Sequence, residues 1–496
     1  MIRGTDRIKI TIESICLVLF MSFLSKIEIL LFCLYLFKIT EMKHHILAAL
    51  SITLFLITSC STRSKSDDQR ENDTLITEHI FPFQSRHCHG SSLVELPNGD
   101  ILVVWFHGSG ERTADDVVIM GSRRNHKTGD WCEPFIMADV PGFPDINPVV
   151  FIDRKSRLWL VWYTVMAYQW ESSLLKYRIS ENYMQKTGPP EWKWQEMIHV
   201  KPDGSVPDGI GKNDPFVLTL KRKYDEYYEY LLSSKSIRPD DSGPIKQEMW
   251  DEAIRGYFDI AKGTSLIANG IDIDENGESI RTRVGYPLMR RIGWQTRNKP
   301  LFTGGKMLLP LYSDGFDFSL IAIFNEEDET WSFSEPLVGA GPVQPALALR
   351  NDGSIAAFMR DNGPPPKRLM KSISNDSGIT WSTVEDTDIP NPGSAADIIV
   401  TKSGNWVLVH NDTEQGRHRL SVWLSQDDGQ TWPYRRFIVD GVPGSETRAH
   451  YPAITEGSGG LLHVSYTNQV PGPEGEPSVK NIAHTSFTEK WIMSDE

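Results

Sequence analysis

Apolar and polar positions alternate with a period of two along most of this chain, in short runs separated by polar or glycine-containing turns. That is the pattern of half-buried β-strands joined as hairpins. Six strand–turn–strand units recur: LVELPNGDILVVW at 93–105, VVFIDRKSRLWLVW at 149–162, LFTGGKMLLPLY at 301–312, ALALRNDGSIAAFM at 346–359, IIVTKSGNWVLVH at 398–410 and AITEGSGGLLHVSY at 453–466. Strand-only content repeating about every 50 residues predicts an all-β fold of radial repeats, a six-bladed β-propeller. The gap between the second and third units exceeds one blade, and its stretch from about 221 to 291 includes KRKYDEYYEYLLSSKS and IKQEMWDEAIRGYFDIAKG. These segments predict a partly helical insertion over one face. A seventh blade begun by DPFVLTL at 214–220 is the alternative. A strand from about Thr74 to Phe83 is expected to close the ring by joining the C-terminal blade around 481–487.

Two segments are close copies, SNDSGITW at Ser374–Trp381 and SQDDGQTW at Ser425–Trp432, both fitting SxDxGxTW and starting 51 residues apart. The Asp and Gly suit a tight turn whose carboxylate accepts backbone N–H bonds, and the Trp suits packing between neighbouring sheets.

Ahead of the repeats, MKHHILAALSITLFLITSC starts at Met42 with a short basic segment, continues through an apolar run and ends at Thr58, Ser59 and Cys60. This resembles a bacterial lipoprotein signal, which implies lipidation of Cys60, a membrane partner reached through that lipid, and anchoring to a bacterial membrane, the outer membrane first. The apolar run is shorter than the roughly 20 residues that span a bilayer. Residues 1–59 are therefore expected to be a leader whose true start is Met42, 60–74 a polar tether, and 75–492 the propeller.

Composition sharpens the picture in two places. A net charge of −14 argues against a nucleic-acid partner, whose affinity comes from neutralised phosphates, yet leaves room for a polyanion held by a few local arginines. The five cysteines show no zinc-type spacing. Cys88 and Cys132 suit two separate thiols, a bridge between them being the alternative. No metal or other cofactor is expected.

Over residues 75–492 the paired boxes and the hairpins resemble the sialidase-like, Asp-box (BNR repeat) propellers. For a sialidase the resemblance implies Arg360 in AAFMRDN, Arg417 in EQGRHRL and Tyr451 in AHYPAI as substrate-site residues, with Asp115 or Asp116 as acid/base. The sequence departs from that family at two places: His89 stands where the first arginine belongs, and Gln344 where a glutamate should partner the tyrosine. An amide cannot act as a base. The first two blades are instead similar to propeller polysaccharide lyases of the ulvan-lyase kind, which implies His89 (or His87), His107, Tyr163 and Arg178 as catalytic residues. Arg297, Gln344, Arg360, Arg417 and Tyr451 are then candidates for substrate binding. Arginine offers a planar two-point grip on a uronate carboxylate, and His and Tyr suit removal of the C5 proton and protonation of the C4 leaving oxygen. The leading expectation is β-elimination on a uronic-acid-containing, sulfated algal glycan such as ulvan, by a lyase or an oligosaccharide dehydratase. The alternatives are a sialidase-like exo-glycosidase and a non-catalytic surface glycan-binding propeller.

Overall fold

The computed structural model describes residues 74–202, 215–233, 270–273, 279–282 and 292–494, apart from 316, 364 and 475. The leader, Cys60, most of the tether and the segment IKQEMWDEAIRGYFDIAKG lie outside the described residues.

Six antiparallel sheets form the blades. Blade 1 runs His87–Glu95, Ile101–Gly108, Val118–Arg124 and Phe135–Ala138; blade 2 runs Asp145–Ile152, Leu158–Val165, Ser173–Ser180 and Trp194–Met197. In blade 3 the first strand is split into Gln295–Thr296 and Leu301–Thr303, both paired with Lys306–Ser313, and Phe318–Asn325 and Trp331–Phe333 follow. Blade 4 runs Pro342–Leu349, Ile355–Asp361, Arg368–Ser374 and Glu385–Pro390; blade 5 runs Asp397–Val400, Trp406–His410, Arg419–Ser425 and Tyr434–Asp440. Blade 6 runs Arg448–Glu456, Leu462–Val470 and Val479–Phe487, and its fourth strand is Ile76–His79 from the start of the propeller, with Ile76 opposite Ser486 and His79 opposite Ala483. Closing the last blade with the first strand pairs the outer side of Val479–Phe487 and ties the two ends of the ring together.

The stretch DPFVLTL starts no seventh blade. Pro215–Ser233 is a helix, α1, whose Phe216, Leu220 and Tyr224 bury into the core shared with blades 2 and 3. Its apolar residues recur three to four apart, and that spacing outweighs the short β-like run. Lys223 fixes the helix by donating to the Trp381 carbonyl at 2.6 Å. The insertion also contains a two-stranded ribbon, Gly270–Ile273 with Ser279–Thr282, which periodicity alone did not separate from loop.

Adjacent blades meet through their first strands. Four of these strands carry the same irregularity, a register shift between His89 and Ser92, Ile146 and Val149, Val343 and Ala346, and His450 and Ala453. At each bulge one residue has positive φ: Gly90, Asn147, Gln344 and Tyr451. In three cases a proline follows, Pro148, Pro345 and Pro452, and a proline inside a strand removes a ladder donor and forces a bulge. The carbonyls freed there are collected by blade 3. Arg297 donates to the carbonyls of Ser91 (3.1 Å), Tyr451 (2.6 Å) and Pro452 (2.8 Å), and Asn298 to those of Gln344 and Pro345, both at 3.1 Å. Lys299 reaches the carbonyls of Leu93 and Ile454. Asp397, whose carboxylate accepts from the Ile454 N–H at 2.9 Å, supplies the negative charge that these two buried cations need. The blades are thus tied together where their first strands meet, through one short break in blade 3.

Candidate functional site

The bulges decide which side chains gather. A residue with positive φ inside a strand turns its side chain out of the normal alternation, at a cost of roughly 1–3 kcal/mol for a non-glycine residue. Asn147, Gln344 and Tyr451 accept that cost together and form a polar belt with the tyrosines of blades 2 and 3. Asn147 Nδ2 donates to the hydroxyls of Tyr163 and Tyr312, both at 3.1 Å. Gln344 Nε2 donates to Tyr312 at 3.2 Å and to Tyr451 at 3.3 Å. Arg360, from the second strand of blade 4, donates to the Tyr451 hydroxyl at 2.8 Å.

Around the Tyr451 ring stand the guanidinium of Arg417, 5.3 Å from its centroid, and the imidazole of His89, 4.1 Å away. His450 lies 4.8 Å from His89 and 3.3 Å from Arg417, Nδ1 to Nη1. His89 Nδ1 bonds the Thr467 hydroxyl at 2.8 Å. Burial, and then the charges of neighbouring His, Arg and Lys side chains, hold both His89 and His450 well below the usual histidine range, so both are neutral near pH 7. Burial also lowers Arg417, with Arg360 and Arg448 reinforcing it, which is the mark of cations crowded together.

Four residues that sequence reasoning did not single out complete the centre. Glu111, on the blade 1 loop, contacts His87 Nε2 at 3.2 Å, while Lys480 Nζ lies 3.1 Å from His87 Nδ1. Because a lysine ammonium only donates, His87 Nδ1 accepts from Lys480, and the ring proton falls to Nε2, the nitrogen on the Glu111 side. Burial pushes Glu111 up, but the hydrogen bond from His87 and the charges of His87, Lys480 and Arg112 win and hold it below the ordinary value. Asp314, at the end of the second strand of blade 3, is pushed up to about 6 by burial against the opposing charge of Arg360. Tyr312 is raised by burial and by the charges of Asp314 and Tyr451. The signal in the sequence was slight: Glu111 and Asp314 stand just beyond apolar strands, while Tyr312 and Lys480 lie within strands.

The structure therefore brings together His89, Gln344, Arg360, Arg417 and Tyr451. His107 sits at the rim of blade 1, half-buried, with its affinity for protons lowered by burial and by Arg86. Other expected site residues lie elsewhere, for physical reasons. Arg178 is on the third strand of blade 2, donating to the Met137 carbonyl at 2.9 Å and to the Gln195 side chain, over the ring of Trp162, so its fork is engaged between blades 1 and 2. Arg297 is 1% exposed and its two terminal nitrogens are taken by the backbone carbonyls described above. Tyr163 is also 1% exposed, a buried member of the belt whose hydroxyl accepts from Asn147, and burial raises it well above the usual phenol range. Asp115 accepts from Tyr168, and Asp116 pairs with Arg86 on the surface; of the acidic groups on this loop, it is Glu111 that faces the histidines. Cys88 and Cys132 are free thiols, with Cys88 pushed up to about 12 by burial. Among the described residues no three His, Cys, Asp or Glu side chains converge as metal ligands.

Six blades, two Asp-box turns and an arginine-flanked tyrosine on a bulged first strand define a sialidase-like β-propeller. The chain belongs to the BNR repeat-like domain family, whose model matches residues 99–224 and 292–464. Among curated proteins it is similar to a sialidase of Micromonospora viridifaciens, 27% identical over 186 residues, a match covering 35% of this chain and 26% of that protein's length. Among solved structures, a protein of unknown function from Dyadobacter fermentans superposes with a TM-score of 0.52 at 12% identity, over 83% of this chain and 98% of that one. The NanB sialidase of Streptococcus pneumoniae gives 0.51 at 15% identity, over 84% and 71%. At these identities the structural likeness is one of fold.

Proposed function

We propose that the propeller is a carbohydrate-active enzyme that performs β-elimination on a uronic-acid-containing oligo- or polysaccharide. One observation carries the reading: a neutral imidazole, His89, lies against a tyrosine whose oxygen is held by a guanidinium and an amide. When His89 donates from Nδ1 to Thr467, its Nε2 lone pair is free to take the C5 proton of the uronate. The C5–H electrons form the C4=C5 double bond as the C4–O bond breaks, and the Tyr451 hydroxyl protonates the departing oxygen. The phenolate left behind is stabilised by Arg360 and Gln344 until the His89 proton returns to it. Arg417, beside Arg360, supplies the second cation that a carboxylate adjacent to a forming carbanion requires. Gln344 fits this role because a donor amide steadies a phenolate, whereas it could not prime Tyr451 for nucleophilic attack. Relative to the expectation from the first two blades, the tyrosine role passes from Tyr163 to Tyr451 and the carboxylate grip from Arg178 to Arg360 and Arg417.

The Glu111–His87 pair supports a second reading, sialidase-like glycoside hydrolysis with Tyr451 as nucleophile and that pair as the acid/base. A panel of uronic-acid oligosaccharides and sialosides separates the two. Elimination gives an ultraviolet-absorbing unsaturated product from a uronate; hydrolysis releases reducing sugar without that absorbance. Turnover of a sialoside, with no unsaturated product from any uronate, would overturn the elimination.

A further inference from the structure

Beside the Tyr451 centre, between blades 5 and 6, lies an open cavity of about 500 Å³ lined by Pro392, Gly416, Arg417, His418, Gly444, Ser445 and Arg448. Arg417 is the residue the two share: its guanidinium lies over the Tyr451 ring, with its terminal nitrogens on His450 and the Gly393 carbonyl, and the residue also lines the cavity. Arg448 and His450 lie two apart on the first strand of blade 6 and therefore on one face of it, so the cavity continues the line of the histidines. No carboxylate lines it. The nearby acidic groups are engaged elsewhere: Glu414 with Arg368 at 2.6 Å, Asp440 with Arg419 at 2.9 Å, Glu446 with Ser478 at 2.9 Å and Glu111 with His87. Arg448 is exposed and has no carboxylate partner among the described residues. Lys480, bonded to His87 and not itself a lining residue, feels the charges of Arg448, Arg417 and Glu111. Two arginines at one cavity with no carboxylate in its lining, in a chain of net charge −14, create a local field that draws anions.

We infer that this cavity is a second anion subsite of the same cleft, taking a sulfate or carboxylate on the sugar next to the one that reacts. The inference rests on the reading of the Tyr451 centre as a uronate site, and it adds the substrate class: a glycan with anionic groups on consecutive residues. The two possible sources share one chemistry, a compact anion of several oxygens gripped by guanidinium.

Calorimetric titration of the whole protein tests it with three tetrasaccharides: desulfated chondroitin, chondroitin sulfate, and an oligogalacturonate carrying a carboxylate on every sugar. The expected result is binding of one or both multiply anionic probes about tenfold or more tighter than desulfated chondroitin, the scale of a charge-assisted hydrogen bond. The sulfated and the polycarboxylate arms tell which anion is preferred. Arg448→Ala should erase the preference and Arg448→Lys should keep part of it, with thermal unfolding unchanged in both because the side chain is exposed. Equal binding of all three probes, or a preference that survives Arg448→Ala, overturns the subsite. The product assay keeps the two ideas apart: unsaturated product without a preference removes the subsite and leaves the elimination, and a preference without unsaturated product does the reverse.

Discussion

At the scale of single residues the centre is governed by what each group can do with a proton. Tyr451→Phe removes the hydroxyl that Arg360 and Gln344 hold, and His89→Ala removes the neutral imidazole tilted against its ring. Each is expected to lower kcat on a uronate substrate by about 10² or more, the usual worth of general acid–base catalysis, while near-native thermal unfolding shows the fold intact. Gln344→Glu sets a carboxylate beside Tyr451 and beside the bound carboxylate, so it should slow elimination further. A rise in unsaturated product with that variant would contradict the assignment. Arg178→Lys, by contrast, should leave kcat near wild type and instead lower the melting temperature, since an ammonium cannot span the Met137 carbonyl and Gln195 or stack on Trp162. These residues show the limits of reading the chain by itself. Arg360, Arg417, Tyr451, Gln344 and His89 were candidates through the family resemblance, aligned hairpin against hairpin, and the structure sets them side by side. Arg178 and Arg297 were equally plausible in sequence, and only the partners of their guanidinium groups distinguish them.

At the scale of elements, the Asp box is a self-contained turn. Asp376 Oδ1 accepts from the backbone N–H groups of Ile379 (3.1 Å) and Thr380 (2.9 Å), and Asp427 Oδ1 repeats this with Gln430 (3.1 Å) and Thr431 (2.8 Å). Gly378 and Gly429 take the positive φ that each turn requires. Trp381 then packs with Leu308, Ile321 and Met359 between blades 3 and 4. Trp381→Ala should destabilise the protein by roughly 3–5 kcal/mol through the cavity it leaves, measured by denaturant unfolding, with the kcat of the folded fraction retained. Loss of turnover without loss of stability would assign Trp381 to the site instead. Both turns were legible because their hydrogen bonds close within eight residues. The bulges were less so: a proline within an apolar strand signals a bulge, but the alternation resets there, and the direction of Gln344 or Tyr451 no longer follows from counting by twos.

Across the whole molecule the buried histidines set a pH limit. His410 and His463 are each pushed down to about 3 by burial, and His89 and His450 are lowered as well. Above pH 6.5 these groups are neutral in both folded and unfolded chains and do not affect the equilibrium. As the pH falls from 6.5 towards 3, the unfolded chain binds protons that the folded chain refuses, so stability drops progressively. The melting temperature is expected to decline from about pH 6.5 downward, earlier than carboxylate protonation alone would cause. His410→Gln should flatten that slope even if it lowers stability at neutral pH. A wild-type melting temperature that stays level between pH 6.5 and 5 would show that these histidines take up protons without unfolding.

What the sequence by itself determined is the repeat: six hairpins, their spacing, the two Asp-box turns, and the strand that returns to close the last blade. The hairpins and turns follow from local periodicity and from partners within a few residues, and the closing strand from its apolar pattern ahead of the first blade and the need to complete the last one. Tertiary structure alone decided which polar residues meet. The centre draws His89 from blade 1, Arg360 from blade 4, Arg417 from the edge of blade 5 and Tyr451 from blade 6, residues up to 362 positions apart that become neighbours only when the ring closes. Closure likewise turned Arg297 inward, because the bulges leave backbone carbonyls that a buried guanidinium must satisfy, and no run of residues along the chain carries that information.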